Sequence, residues 1–246
     1  MLNKSEGIVI HTTDYGETNR IVTLYTKEYG KIGVMARGAK KPRSKLSAGT
    51  QFLTYGHYLF NKGRGLGTLH QADPLDAFRY IKADIVPMAY ASYIVDVIHK
   101  LSEKDTNNPF LYDWVFQILK AMDGGQDPQV LTFIYEIKLL PLLGIEAEVD
   151  CCVHCGRPDS LSGFSVEQGG VLCQNCIIND PRAIPLTSIA VKLLRMFKHI
   201  DFHRIGKIEL KKETRAQIKS VINAYYDAYS GLNLKTKRFI EQIENL

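Results

Sequence analysis

All five cysteines of this chain fall in one stretch, CCVHCGRPDSLSGFSVEQGGVLCQNC, from Cys151 to Cys176. Cys152 and Cys155 form one Cys-x-x-Cys pair and Cys173 and Cys176 a second, with seventeen residues between the pairs. A short pair turns two sulfurs toward one ion, and the intervening SGFSVEQGGVLC has the makings of a small β-hairpin that returns the second pair to the first. The spacing therefore predicts one four-thiolate zinc site, Cys152, Cys155, Cys173 and Cys176, in an insert over residues 150–178. Gly156, directly after Cys155, frees the backbone where such a knuckle must turn. Cys151 and His154 are rival donors for the place of Cys152. Cys152 alone reproduces the two-residue gap of the second pair, and His154 would face away from the knuckle.

Other uses of the thiols fit less well. Nothing at Met1 resembles an export signal, so the expected compartment is a reducing cytoplasm, where disulfides do not persist. A redox dithiol needs one pair and not two so close together, and free thiols left from a lost site remain as the bland alternative. A site closed by four protein ligands has no open position for water or substrate, which makes it structural and not hydrolytic.

At 246 residues the chain is long enough for one large domain or two smaller ones with real cores. Its 45% hydrophobic and 23% charged composition is that of a globular protein, and no apolar run is long enough to span a membrane. The net charge of +5 is unevenly spread: residues 1–80 hold twelve Lys/Arg against six Asp/Glu, residues 81–150 five against eleven, and residues 151–246 fourteen against nine. Basic ends around an acidic middle suit an anionic ligand at the ends, with chance clustering of solvated charge as the alternative.

From Glu6 to Gln71 the pattern is β. GIVIHTT, RIVTLYT, KIGVMAR, FLTYGHYLF and LGTLHQ are short runs of β-branched and aromatic residues separated by turn signals. Five such strands predict a small closed barrel over residues 1–79, with the oligonucleotide/oligosaccharide-binding (OB) fold as the natural candidate and an SH3-like barrel as the structural rival. After the third strand, Arg37, Lys40, Lys41, Arg43 and Lys45 place five cations and no acid in nine positions. A basic loop of this kind neutralises phosphates, each contact releasing a condensed counterion. On the fourth strand Phe52, Tyr58 and Phe60 share one face and Tyr55 and His57 the other; one set is core and the other is available to stack bases. Gly63-Arg64-Gly65-Leu66-Gly67 precedes a strand and not a helix, so it is a hairpin turn and not a dinucleotide fingerprint.

Beyond Asp73-Pro74 the period becomes helical. Residues 84–101, 109–122, 128–143 and 187–200 read as amphipathic helices with Asp, Pro or Thr/Ser at their starts, and 211–229 as another helix. Together they predict a helical domain over residues 80–246 that carries the zinc insert. Tyr90, Tyr93, Trp114 and Phe116 are expected in its core. In the tail, Leu232, Leu234, Phe239 and Ile240 lie among Lys235, Lys237 and Arg238, which suits either docking of an acidic, hydrophobic peptide or packing of the last helix on its own domain.

The order of parts resembles the RecO family of bacterial DNA repair proteins. The resemblance covers essentially the whole chain and rests most on GIVIHTTDYGETNRIVTLYTKEYGKIGVMARGAKKPRSK and LPLLGIEAEVDCCVHCG. It implies a non-enzymatic recombination mediator that binds single- and double-stranded DNA and anneals complementary strands. With RecR, such a mediator helps load RecA onto strands coated by single-stranded-DNA-binding protein (SSB), whose acidic tail it contacts; RecF is a further implied partner. By position, Cys152, Cys155, Cys173 and Cys176 match the family's zinc ligands, whereas Arg37, Lys40, Lys41, Arg43 and Lys45 are chosen as DNA contacts on charge and loop position. No phosphate-binding loop, nucleophile elbow or His-Glu metal helix competes with a non-enzymatic role. The alternative is a zinc-containing interaction adaptor that does not itself bind nucleic acid.

Overall fold

A computed structural model describes residues 2–63, 65–102 and 107–244. They fall into two compact units, Met1–Gly125 with Leu234–Leu246, and Gln126–Asn233.

The first unit opens with five strands, β1 (Leu2–Tyr15), β2 (Asn19–Thr26), β3 (Gly30–Ala36), β4 (Tyr55–Asn61) and β5 (Gly67–Asp76). They close in the order β1-β2-β3-β5-β4, with β4 returning to β1. All neighbours are antiparallel except β3 and β5, which meet in a short parallel contact at Val34↔Gly67 and Met35↔Thr68. That order is the OB barrel. Alternation along the strands sends Val9, Val22, Leu24, Ile32, Val34, Tyr58, Phe60 and Leu69 into one buried core. The Tyr58 hydroxyl donates to the Gly49 and Thr54 carbonyls at 3.1 and 3.0 Å, so its polar end is satisfied where burial raises its pKa. Gly56 is needed where β4 crosses β5: a Cβ there would stand 2.4 Å from the Asp73 carbonyl oxygen. The Gly63–Gly67 run joins antiparallel β4 and β5 and is thus the expected hairpin connection; Arg64 lies outside the described residues.

Four helices complete this unit: α1 (Arg79–Ala83), α2 (Ile85–Leu101), α3 (Pro109–Asp123) and, from the end of the chain, α7 (Lys235–Glu244). Asp84 caps α2 by accepting from Val86 N, and Asn108 caps α3 by accepting from Leu111 N. Tyr90 and Tyr93 are buried, while Trp114 and Phe116 are only half-buried. The tail packs on its own unit: α7 lies against α2, Leu234 and Ile240 are buried, and the Thr236 hydroxyl donates to Asp96 at 2.9 Å.

The second unit holds α4 (Pro128–Leu139), α5 (Ser188–His199), α6 (Lys212–Tyr229) and a three-stranded sheet. In that sheet β6 (Leu161–Ser165) is central, with β7 (Gly170–Cys173) and β8 (Ile184–Pro185) on either side. Asp127 caps α4 through Gln129 N and Val130 N and also pairs with Arg215 of α6 at 2.6 Å, which ties the two helices. Helix α4 stops four residues short of its periodic pattern because Pro141 has no N–H to continue the ladder. Among the described residues no helix is long and apolar enough to cross a membrane.

Candidate metal centre and nucleic-acid interface

The cysteine pairs are brought together by the hairpin expected between them. β6 and β7 pair in register Leu161↔Cys173, so the hairpin ends at the second pair, and Cys176 N closes a turn on the Cys173 carbonyl at 3.0 Å. The first pair is laid against β7 by Val153 N, which donates to Val171 O at 2.8 Å. Its own turn is closed by Gly156 N donating to Cys152 O at 2.8 Å, with Gly156 at φ +75°, the left-handed conformation that glycine adopts without strain.

As a result the sulfurs of Cys152, Cys155, Cys173 and Cys176 all lie within 4.8 Å of one another, and the four could hold one metal ion. The Cys155 and Cys173 sulfurs are 3.8 Å apart. A tetrahedral site with metal–sulfur bonds of about 2.3 Å has sulfur–sulfur edges of about 3.8 Å, the separation of this pair. Cys152 and Cys173 are buried, and Cys176 and Cys155 face progressively more solvent. At Cys152 burial pushes the thiol up, but backbone hydrogen bonds from Cys173, Cys155 and His154 outweigh it and bring the pKa down to about 6. Burial and the neighbouring sulfurs push Cys176 up to about 12. Backbone hydrogen bonds likewise lower Cys173, chiefly the one from Cys176, so one cysteine of each pair favours the thiolate that a metal ligand must be. Cys151 stands outside the cluster, its N–H donating to Glu148 Oε1 at 3.2 Å.

The knuckle is braced from α5. Arg195 donates to the Asp150 carbonyl at 2.7 Å, and the Asp150 carboxylate takes ion pairs from Arg195 and Lys198, both at 3.4 Å, and a hydrogen bond from His199 Nε2 at 3.0 Å.

On the barrel, the segment after β3 is a series of hydrogen-bonded turns and not an open coil. Lys41 N bonds Gly38 O, Ser44 N bonds Lys41 O, and Ser47 N bonds Ser44 O, each at 3.1 Å. Ala39 is buried in the barrel core and Leu46 packs against it, so two apolar anchors hold the segment down while Arg37, Lys40, Lys41, Arg43 and Lys45 are all exposed. The segment is also fastened to the turn between β1 and β2: Lys40 N donates to Thr18 O and Gly38 N to Asn19 Oδ1, both at 2.9 Å.

One acid interrupts the cations. Asp14 of β1 takes Lys40 Nζ at 2.8 Å and Arg20 Nε at 3.3 Å. The Lys40 hydrogen bond, joined by Arg20, outweighs desolvation and holds the Asp14 carboxyl below its ordinary value. Arg20 also donates to the Thr50 carbonyl and is a sixth cation at this surface that the loop pattern alone does not reveal. Its position follows from strand register, since β1 and β2 pair Asp14↔Arg20.

The aromatic faces of β4 resolve as follows. Tyr58 and Phe60 are core, and Phe52 lies just before the strand, half-buried. On the other face Tyr55 packs against Phe116 of α3 with ring centroids 4.6 Å apart, and His57, the second ring of that face, is half-buried.

Two family models match the chain, dividing it at the end of the barrel. The family model for the N terminus of Recombination protein O matches residues 1–78, and that for its C terminus matches residues 82–238. Relatives described as DNA repair protein RecO are 48% identical in Halalkalibacterium halodurans, across 100% of this chain and 97% of that protein, and 47% identical in Bacillus subtilis, across 100% and 96%. The chain belongs to the RecO family. A third RecO relative, from Bacillus mycoides, is 47% identical across 99% of the chain and 98% of its own length. Both the OB barrel and the helical region with the cysteine cluster thus lie within segments that the RecO models match.

Proposed function

We propose that this protein acts in DNA repair and recombination as a non-enzymatic mediator. Its barrel grips the DNA backbone without regard to base order, and a structural zinc ion pins the sheet of the second unit. The observation that carries the reading is the anchored segment with Arg37, Lys40, Lys41, Arg43 and Lys45 all turned to solvent on an OB barrel. Backbone binding needs only such point charges, and it serves single and double strands alike. Membership of the RecO family extends the reading to annealing of complementary strands and, with RecR, to loading of RecA on strands coated by SSB through contact with the SSB acidic tail.

For the ion, four thiolates favour zinc, and with Cys152, Cys155, Cys173 and Cys176 all committed no coordination position is left for substrate. The role assigned to it is therefore mechanical, as a clamp between the first knuckle and the β6–β7 hairpin.

The test is strand annealing of complementary oligonucleotides, bare and coated with SSB, together with RecA assembly on the coated strand with and without RecR. The proposal expects annealing in both cases, with RecR accelerating RecA assembly on the coated strand. An adaptor that binds partner proteins but no oligonucleotide at low salt is the contrary outcome.

A further inference from the structure

Phosphate contacts do not distinguish single strands from duplex; that requires a ring on which an unpaired base can lie. On strand β4 Tyr58 and Phe60 are core, Tyr55 packs against Phe116, and the remaining ring, His57, is half-buried. Among the described barrel residues, Tyr15 is the one exposed Phe, Tyr or Trp, with 56% of its surface open to solvent. Its place is not incidental to the cations. It ends β1 directly opposite Asn19, whose Oδ1 holds Gly38 of the basic segment at 2.9 Å. The turn beyond it begins with Gly16 at φ +61°, where even an added Cβ would meet nothing within 4 Å, so no side chain of the turn's first residue covers the ring. Among the described residues the ring has no stacking partner and the hydroxyl no hydrogen bond.

We infer that Tyr15 is a base-stacking residue that adds to the basic segment a preference for single strands. The inference rests on the reading of this surface as a DNA-binding one and adds the group that selects strand form. Phosphates of the bound strand lie on Lys40, Arg20 and their neighbours, and an unpaired base from the same stretch lies on the Tyr15 ring. In duplex the bases are already stacked on each other, and Tyr15 contributes little. A Tyr ring orders at low entropic cost, having two rotatable side-chain bonds, which suits a platform better than a long flexible chain.

The experiment measures binding of the full-length chain to three probes of equal length at fixed salt: an oligo-dT strand, the same strand with abasic sites throughout, and a duplex. The chain is compared with Tyr15→Ala and Tyr15→Phe. Tyr15→Ala is expected to lose about tenfold or more affinity for oligo-dT and less than about twofold for the abasic strand and the duplex, with Tyr15→Phe indistinguishable from the parent. Unchanged oligo-dT binding in Tyr15→Ala overturns the inference. So does an equal loss on all three probes, which would make Tyr15 a support for the phosphate contacts. Absence of binding by the parent chain to every probe would instead remove the DNA-binding reading itself.

Discussion

The barrel and the cysteine hairpin are both small antiparallel β-structures, and they are held by different means. The barrel closes on itself, leaves no open sheet edge, and buries a contiguous set of aliphatic and aromatic side chains from Val9 to Ala72. The hairpin sheet has strands of five, four and two residues and buries little of its own beyond Leu161, Phe164, Val171 and Leu172. A sheet of that size cannot cover the entropy of ordering its chain from apolar burial alone, and the four cysteines sit at the end of β7 and in the turns beside the sheet. A closed core thus frees a surface segment for ligand, whereas an open sheet commits its cysteines to holding itself together.

The sharpest way to break this contrast is to remove the metal from one module and look at both. Cys173→Ser, or a strong chelator, is expected to cost the second unit's sheet most of a metal-binding free energy on the order of 10 kcal/mol. In hydrogen exchange, the amides of Val153 and Val171, which clamp the knuckle, should lose protection while Val9 and Val22 keep theirs. Equal loss in both modules, or none, contradicts the contrast.

The converse change is Phe60→Ala in the barrel core, where the ring is fully buried and meets the Tyr29 ring edge-on with centroids 5.7 Å apart. It should destabilise the barrel by about 3–5 kcal/mol and leave metal content, read by elemental analysis, unchanged.

A smaller effect sharpens the helical side. Asp127 is half-buried, and desolvation would raise its pKa, but Arg215 and the two capping N–H groups outweigh that and depress it from 3.8. A depressed folded-state pKa contributes stability that is present above the unfolded value and lost as pH falls through the folded one. Denaturant midpoints of the parent should therefore fall as pH drops below about 4. Asp127→Ala should lose about 1–3 kcal/mol at pH 7 and show a shallower acid dependence. The smallest effect is at Asp14, where Asp14→Asn frees Lys40 and Arg20 and should tighten DNA binding a few-fold at low salt, a gain that shrinks as salt rises.

Much of this was legible in the sequence because it depends on local pattern. The two Cys-x-x-Cys pairs announced both the cluster and its hairpin, and Asp84, Pro128 and Thr187 marked helix starts to within a residue or so. What was not legible depends on pairing across the chain. Residues Leu2–Glu6 look too polar for a strand, yet they extend β1 because β4 needs a partner to close the barrel. Strand β8 has only two residues and forms through pairing with β6. Arg20 joins the cations only once the register puts it opposite Asp14. Alternation on β4 showed two aromatic faces but not that α3 would cover the outer one.

The central claim is that the segment fastened over the barrel is the DNA grip, and the salt dependence of affinity reads it directly. A full-length chain in which Lys40, Lys41 and Arg43 are all changed to Ala should keep its metal and its fold, lose at least tenfold in duplex affinity at low salt, and show a log–log salt slope shallower by roughly two to three units. Parent-like affinity and slope in that variant would contradict the account.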